Sequence, residues 1–422
     1  MCHQLMSLLK KNEQVILIEK NDCLGGTSTA GGVNTWEPGV AGNGVHYHLA
    51  ANLIMNKQAG IGKTVKTVSA DTPYAYSGIV TDSCYEDTLR RSGKEQDEFR
   101  RFHFEPEAMA SLMYSFLKSH KNLIIMFLTE VTEVMTSRDR VTGVIVRHHP
   151  DQQEYEIEAD YFADCTGDII LARKAGCQYS QGEDSFKMYH EKSAPLEPSL
   201  LVNGVTKMFR CTKTDTKRNY KMPMEYINEN TRNWMKNIYA KKIVSVINEY
   251  PNGDLNINLL PTMDGYDYFD LPDSDREYFL LSRTYAYFEF LSSMKAFEPY
   301  RISKIFQETG IRESYRLVGR YVLKEQDIIS SRFKEHVLCY ADHALDTHGK
   351  TNIKGHRAVE LSEPYGIPED CIRTNEYDNL VVASRGASFS HIAASSCRLS
   401  RTMIALGEGG AKVLYSMAEN RV

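Results

Sequence analysis

The stretch that most constrains this chain is Val15-Ile16-Leu17-Ile18-Glu19-Lys20, followed by Leu24-Gly25-Gly26-Thr27-Ser28-Thr29-Ala30-Gly31-Gly32. The first part is a short apolar run rich in β-branched residues, which reads as a buried parallel strand ending in an acid. The second is glycine backbone interleaved with small hydroxyl side chains, so the chain can approach a ligand closely and adopt positive φ. An acid at the carboxyl end of a parallel strand is where a dinucleotide fold binds ribose hydroxyls.

Two later segments repeat this strand-then-turn pattern. Asp160-Tyr161-Phe162-Ala163-Asp164-Cys165-Thr166-Gly167-Asp168 predicts a buried strand, a tight Thr-Gly turn and a helix over Ile169–Ala175. Asp168 is placed to cap that helix by accepting from its first N–H groups. Asn379-Leu380-Val381-Val382-Ala383-Ser384-Arg385 predicts a second buried strand. It leads through a Ser388–His391 loop and Ala394-Ser395-Ser396-Cys397-Arg398 into a helix over Leu399–Ser416.

On these residues the chain resembles FAD-dependent oxidoreductases with the glutathione-reductase-type Rossmann fold, and more narrowly a bacterial family related to the fumarate reductase flavoproteins. The resemblance implies an α/β fold: a Rossmann-type FAD-binding domain in two parts, 1–180 and 306–422, interrupted by a mixed α+β substrate domain over 181–305. It implies cofactor contacts from Glu19, Lys20, Gly25, Gly26 and Thr27, from the backbone at Val131, from Thr166, Gly167 and Asp168, and from Arg385. Ser384 stands where the family has glycine, and Cys165 where it has alanine. His391 is expected in a loop near the flavin ring as proton donor or acceptor, since an unperturbed imidazole titrates near neutrality. Arg398 is expected to stabilise negative charge on ring or substrate.

Gly310-Ile311-Arg312-Glu313-Ser314-Tyr315-Arg316 also matches the family pattern. Arg312 and Arg316 are four apart, which on a helix puts them on one face, able to grip a carboxylate or to pair with Glu313 or Glu325. The strand and G-x-G-x-x-G loop that precede the acid in the resembling fold are not found ahead of Val15. This implies a shortened gene model, a fragment, or a remnant that has lost the cofactor. An NAD dehydrogenase using Glu19 for the ribose is a third reading, and it leaves the two carboxyl-terminal segments unexplained.

Between these signatures, periodicity gives a helix over Met1–Lys11, a loop over Asn34–Val45 and a helix from His48 to Ala59. An amphipathic helix follows over Glu107–His120, with Met109, Leu112, Met113, Phe116 and Leu117 as core. Three strands over Leu123–Val134, Arg140–Arg147 and Glu154–Ile157 form a meander. The 181–305 region predicts strands near Val205 and Ile257, helices over Met224–Tyr250 and Glu277–Lys295, and aromatic residues from Tyr266 to Phe290 that fill a core or line a pocket. Pro364–Pro368 reads as an extended turn. The charged run Arg90–Arg101 reads as a solvated face.

The rest of the composition narrows the class. A net charge of −5 with pI near 6.3 gives no reason for a nucleic-acid or anionic-membrane partner. No apolar run is long enough to span a bilayer, and the first residues lack a signal-peptide pattern. The nine cysteines include no Cys-x-x-Cys, as expected of reduced thiols in a cytoplasm. His46-x-His48 has strand-like spacing, but no acid or cysteine cluster completes a metal set, so none is assigned. The expected partner is a small-molecule substrate; composition leaves the oligomeric state open.

Overall fold

A computed structural model describes residues 13–65, 68–69, 72–80, 100–214, 222–240, 245–258, 261–347 and 358–419. The helix expected over Met1–Lys11 and most of the Arg90–Arg101 run lie outside these residues.

Two parallel strand pairs carry the dinucleotide-like segments. Val15–Ile18 lies parallel to Leu123–Met126, with Val15 opposite Leu123. Phe162–Asp164 lies parallel to Leu380–Val382. All three residues of Leu380–Val382 are fully buried, the continuous apolar pattern of a strand covered on both faces. Beside them, Thr129–Ser137, Arg140–His148 and Glu154–Glu158 form an antiparallel meander. Val141, Val144 and Val146 bury its inner face together with Phe162, Ile169 and Val382.

The single strand expected over Leu123–Val134 is in fact two. Leu128 turns at φ 51, and Thr129 donates to Phe127 O at 2.7 Å. The first half can therefore join Val15–Ile18 while the second enters the meander. The amphipathic helix forms over Pro106–Lys118, and Met109, Leu112, Met113 and Phe116 pack into one core with Trp36, Phe102 and Phe104.

A nine-stranded sheet draws on two distant regions. Tyr300–Ile305, Phe209–Lys213, Leu255–Asn258 and Ser245–Glu249 continue, in that order, into Thr72–Val80, Ala59–Val65, Arg100–Phe104 and Thr35–Trp36. Ser245–Glu249 pairs with Thr72–Val80 in parallel. The helix Asp273–Ser292 packs on this sheet through Tyr287, Phe288 and Leu291. The helix expected over Met224–Tyr250 ends at Ala240, and its last part is the strand Ser245–Glu249. The β-branched Val246 and Ile247 pair with neighbours on both sides, and that pairing outweighs local helix propensity. Val205 makes only an isolated bridge to Met263. Pro364–Pro368 is largely strand: Tyr365–Pro368 pairs with Val337–Ala341.

The chain closes with two helices, His391–Cys397 and Ser400–Glu419. Among the described residues, no helix is long and apolar enough to cross a membrane.

Candidate active site

The predicted cofactor residues gather in two groups joined by charge. Glu19 ends the first strand; its N–H donates to Met126 O at 2.9 Å, and its Oε1 accepts from Asn21 N at 3.0 Å. It is half-buried, and burial pushes its carboxyl up. Lys20 pairs with Glu308 at 3.1 Å. Gly25 takes φ 103, and a Cβ there would sit 2.6 Å from the Thr29 side chain and 3.0 Å from Met113 Sδ. Gly26, Thr27 and Ser28 form one 3₁₀ turn. Ser28 Oγ lies 3.4 Å from Ser400 Oγ, which brings this loop against the start of the last helix.

Asp168 does not cap the following helix. Ile169 begins it in the left-handed region at φ 45. The helix N–H groups are taken instead by Thr166 Oγ1, from Ile170 at 2.8 Å, and by Asp164 Oδ2, from Ala172 at 2.9 Å. This leaves Asp168 free to turn outward. Arg385 donates to it at 2.7 Å and Ser314 at 2.5 Å. Burial raises the Asp168 carboxyl, but Arg385, Ser314 and Lys20 outweigh it and hold it low. At Gly167 a Cβ would lie 2.7 Å from the Arg385 guanidinium, so a side chain there would push the arginine away from Asp168. Glu19, Lys20, Thr166, Gly167, Asp168 and Arg385 therefore form one neighbourhood. Val131 lies apart in the meander, opposite Val146 and packed against the core that holds Ile18.

The predicted catalytic residues sit elsewhere. Arg312 and Arg316 share no helix; the segment is extended, with Tyr315–Leu317 a strand paired to Tyr179–Gln181. Their side chains diverge. Arg316 is fully buried and donates to Glu313, to Asp184 at 3.1 Å and to the carbonyls of Gly182 and Phe389. The expected pairing with Glu313 is thus met by Arg316.

His391 is the first residue of a helix, not a loop residue; Ser390 caps that helix by accepting from Ala393 N. His391 Nδ1 lies 2.7 Å from Glu313 Oε1, and its N–H donates to Asp184 at 2.7 Å. Burial pushes the imidazole down, but the Glu313 charge and hydrogen bond outweigh it and hold it above the ordinary value. Burial likewise raises Glu313, yet His391, Arg316 and Asn203 bring it down to about 2. The Nε2 of His391 is buried and has no hydrogen-bond partner.

Arg312 donates to Gly204 O and Thr206 Oγ1, both at 2.8 Å, and Arg398 reaches Asp346 O at 3.4 Å. His46 and His48 lie on the helix Gly44–Met55, where a spacing of two separates them: His46 is buried, stacked on Trp36 at 4.5 Å, and His48 is exposed. Among the described residues no group of His, Cys, Asp and Glu could hold a metal.

Sequence reasoning missed Asp184, Glu313 as the partner of His391, and the pair of His343 Nε2 with Glu37, 3.6 Å apart. Glu313 was legible only as an arginine partner. Asp184 lies 207 positions from the His391 N–H it accepts, and no local pattern marks it.

Comparison with solved structures finds low similarity spread over the chain. A geranylgeranyl bacteriochlorophyll reductase-like protein from Thermoplasma acidophilum is 9% identical, with TM-score 0.46 over 100% of this chain and 76% of that one. The p-nitrophenol 4-monooxygenase from Pseudomonas putida is 9% identical, with TM-score 0.39 over 76% of this chain and 66% of its own. The L-amino acid deaminase from Proteus myxofaciens, solved in complex with anthranilate, is 8% identical, with TM-score 0.42 over 100% and 88%. No curated protein sequence matches. One family model, described as FAD dependent oxidoreductase, matches residues 6–421. With nearly every residue inside that match and the strand-and-turn segments in order, the chain belongs to the FAD-dependent oxidoreductase family, and its cofactor is FAD.

Proposed function

We propose that the chain transfers a hydride between a small organic substrate and flavin N5, as a member of the branch with the glutathione-reductase-type fold. In this reading 1–180 and 306–422 carry FAD, and 181–305 forms the body of the substrate part, with strands from 35–104 extending its sheet. The residues present fit the adenosine end of FAD: Glu19 is half-buried at a strand end and holds Asn21 N–H on one oxygen, so its carboxylate can accept ribose hydroxyls. Gly25, at φ 103, and Gly167 carry no side chain that would hold a ligand off the backbone. Lys20, Gly26, Thr27, Thr166, Asp168 and Arg385 would line the path onward, with Val131 behind the adenine.

Bound FAD supplies the hydride acceptor or donor. The protein supplies a fixed proton. The observation that carries this reading is His391: Glu313 fixes its Nδ1, while its Nε2 is buried without a partner. A charged imidazole so held presents an Nε2–H whose acceptor is the reacting molecule. Glu313 orients the ring and keeps it charged. Scattered cysteines support a reducing compartment, and a cytoplasmic location is part of the proposal.

The test is FAD titration of the full chain, then photoreduction of the bound flavin and its anaerobic reoxidation with a panel of small carbonyl compounds, imines and unsaturated acids, which take the hydride from the flavin and the proton from His391. Glu19→Ala should weaken FAD binding about tenfold or more, the loss of hydrogen bonds to a charged group. His391→Gln should keep FAD and slow its reoxidation by the acceptor by about 10²–10⁴. If wild type takes up no flavin, the competing reading of a non-catalytic remnant stands. If His391→Gln reoxidises at the wild-type rate, His391 leaves the mechanism.

A further inference from the structure

Glu191 is a buried carboxylate that the hydride transfer leaves unused. It is 1% exposed, and only one of its oxygens is bonded. Oε1 accepts from Ser390 Oγ at 2.5 Å and from Glu325 N at 2.7 Å. Oε2 is buried and has no hydrogen-bond partner. Each donor stands at the start of a helix. Ser390 caps His391–Cys397, where its hydroxyl accepts from Ala393 N at 3.1 Å. Glu325 opens the helix Glu325–Ile329, and its N–H has no partner inside that helix. The Glu325 carboxylate returns the contact, accepting from Ser193 N at 3.0 Å and from Ser193 Oγ at 2.5 Å.

A hydroxyl has one proton to donate. With that proton directed at Glu191, a lone pair of Ser390 faces Ala393 N–H, so the carboxylate sets the cap and the cap sets where the helix begins. His391, the next residue, then meets Asp184 through its N–H and Glu313 through Nδ1, both at 2.7 Å. Among the described residues no cation pairs with Glu191. Arg316 is held by Glu313 and Asp184, Arg332 by Asp327, Lys324 lies over the Tyr321 ring, and Lys192 is exposed. Burial pushes the Glu191 carboxyl up to about 7; the Asp184 and Glu325 charges add to this, and the bonds from Ser390 and Glu325 N–H oppose it.

We propose that Glu191 is a positioning residue of His391, acting through the Ser390 hydroxyl to fix the start of the helix that carries the imidazole. The part of His391 in hydride transfer rests on the function proposed above; the positioning itself rests on the hydrogen bonds. Ionised Glu191 holds Ser390 by a charge-assisted bond, roughly twice as strong as the neutral bond it makes when protonated. The placement of His391 therefore tightens as pH rises through about 7.

The test is the imidazole proton spectrum of the full chain, in which the Nδ1–H held by Glu313 is assigned by its loss in His391→Gln. Glu191→Ala and Ser390→Ala should shift this resonance. Glu191→Gln, whose amide oxygen still accepts both bonds, should keep it near its wild-type place. In wild type the resonance should also step as pH passes through about 7, and Glu191→Gln should lack that step. In the flavin assay both alanine variants should keep FAD and slow reoxidation about tenfold or more, the cost of a misplaced proton donor, with the half-saturating acceptor concentration unchanged. Should Glu191→Ala fail to fold, Ser390→Ala and Glu191→Gln carry the test. The proposal is overturned if the alanine variants keep the wild-type resonance, or if Glu191→Gln shifts it as far as they do. A resonance that moves as expected while His391→Gln reoxidises at the wild-type rate breaks the hydride-transfer reading and keeps the positioning. A slow His391→Gln beside alanine variants with the wild-type resonance does the reverse.

Discussion

Arg312 and Arg316 leave the same extended segment and meet opposite environments. Arg316 enters a closed network: every direction of its guanidinium ends on Glu313, Asp184 or a carbonyl, and His391 completes the set from the next helix. Arg312 enters an open one: it donates to a carbonyl and a hydroxyl, with the charges of Arg398 and Asp346 opposing each other beyond them. The difference separates two uses of buried charge. A network whose donors and acceptors match fixes the relative position of distant segments, here residues 182–184, 313–316 and 389–391. A cation held by neutral oxygens fixes less, because its removal strands no directly bonded anion.

The largest expected effect comes from breaking the closed side. Arg316→Met leaves Asp184 buried without its cation and Glu313 with His391 alone, and should cost about 3–5 kcal/mol in urea unfolding, enough to threaten folding itself. A midpoint within error of wild type would show that the network is not what joins these segments.

A smaller effect should appear in the pH dependence of stability. Glu313 is depressed to about 2, so its contribution is complete above the ordinary carboxylate value of 4.5 and fades as pH falls toward 2. His391 is raised, so its contribution is complete below 6.5 and is lost as pH rises through its folded value. The urea midpoint attributable to this pair should therefore be highest between about 4.5 and 6.5. His391→Gln should flatten the alkaline arm and shrink the acid arm, because His391 is the largest charge holding Glu313 down and Arg316 holds the remainder. If both arms survive the substitution, other groups set the profile.

The smallest effect sharpens the contrast. Arg312→Met removes a desolvated cation whose hydrogen bonds go to neutral oxygens, and its stability should change by no more than about 1 kcal/mol in either direction. A loss as large as that of Arg316→Met would erase the distinction between the two regions.

Much of the fold was legible in short-range pattern. The strands at Val15, Phe162 and Leu380 announced themselves as apolar runs ending in turns, and the helix at Pro106–Lys118 by its periodicity. Misreadings fell where pairing outweighed local preference. Ser245–Glu249 looked like the end of a helix until two strands claimed it. His46 and His48 looked like strand neighbours and sit on a helix. The spacing of Arg312 and Arg316 suggested a shared face that exists only in a helix, and the segment is extended.

The sequence by itself determined the class of protein, since the acid at the end of the first strand, the Thr-Gly turn and the carboxyl-terminal strand and helix are local patterns read within a few residues. Tertiary structure alone decided which charges are satisfied. Asp184 meets the His391 N–H across 207 positions, Arg385 meets Asp168 across 217, and Arg398 comes to 3.9 Å from the Asp346 carboxylate only through what the fold sets around it. Local sequence fixes backbone preference through sterics and periodicity. The balance of buried charge is a sum over neighbours from the whole chain, and it exists only once the chain has closed on itself.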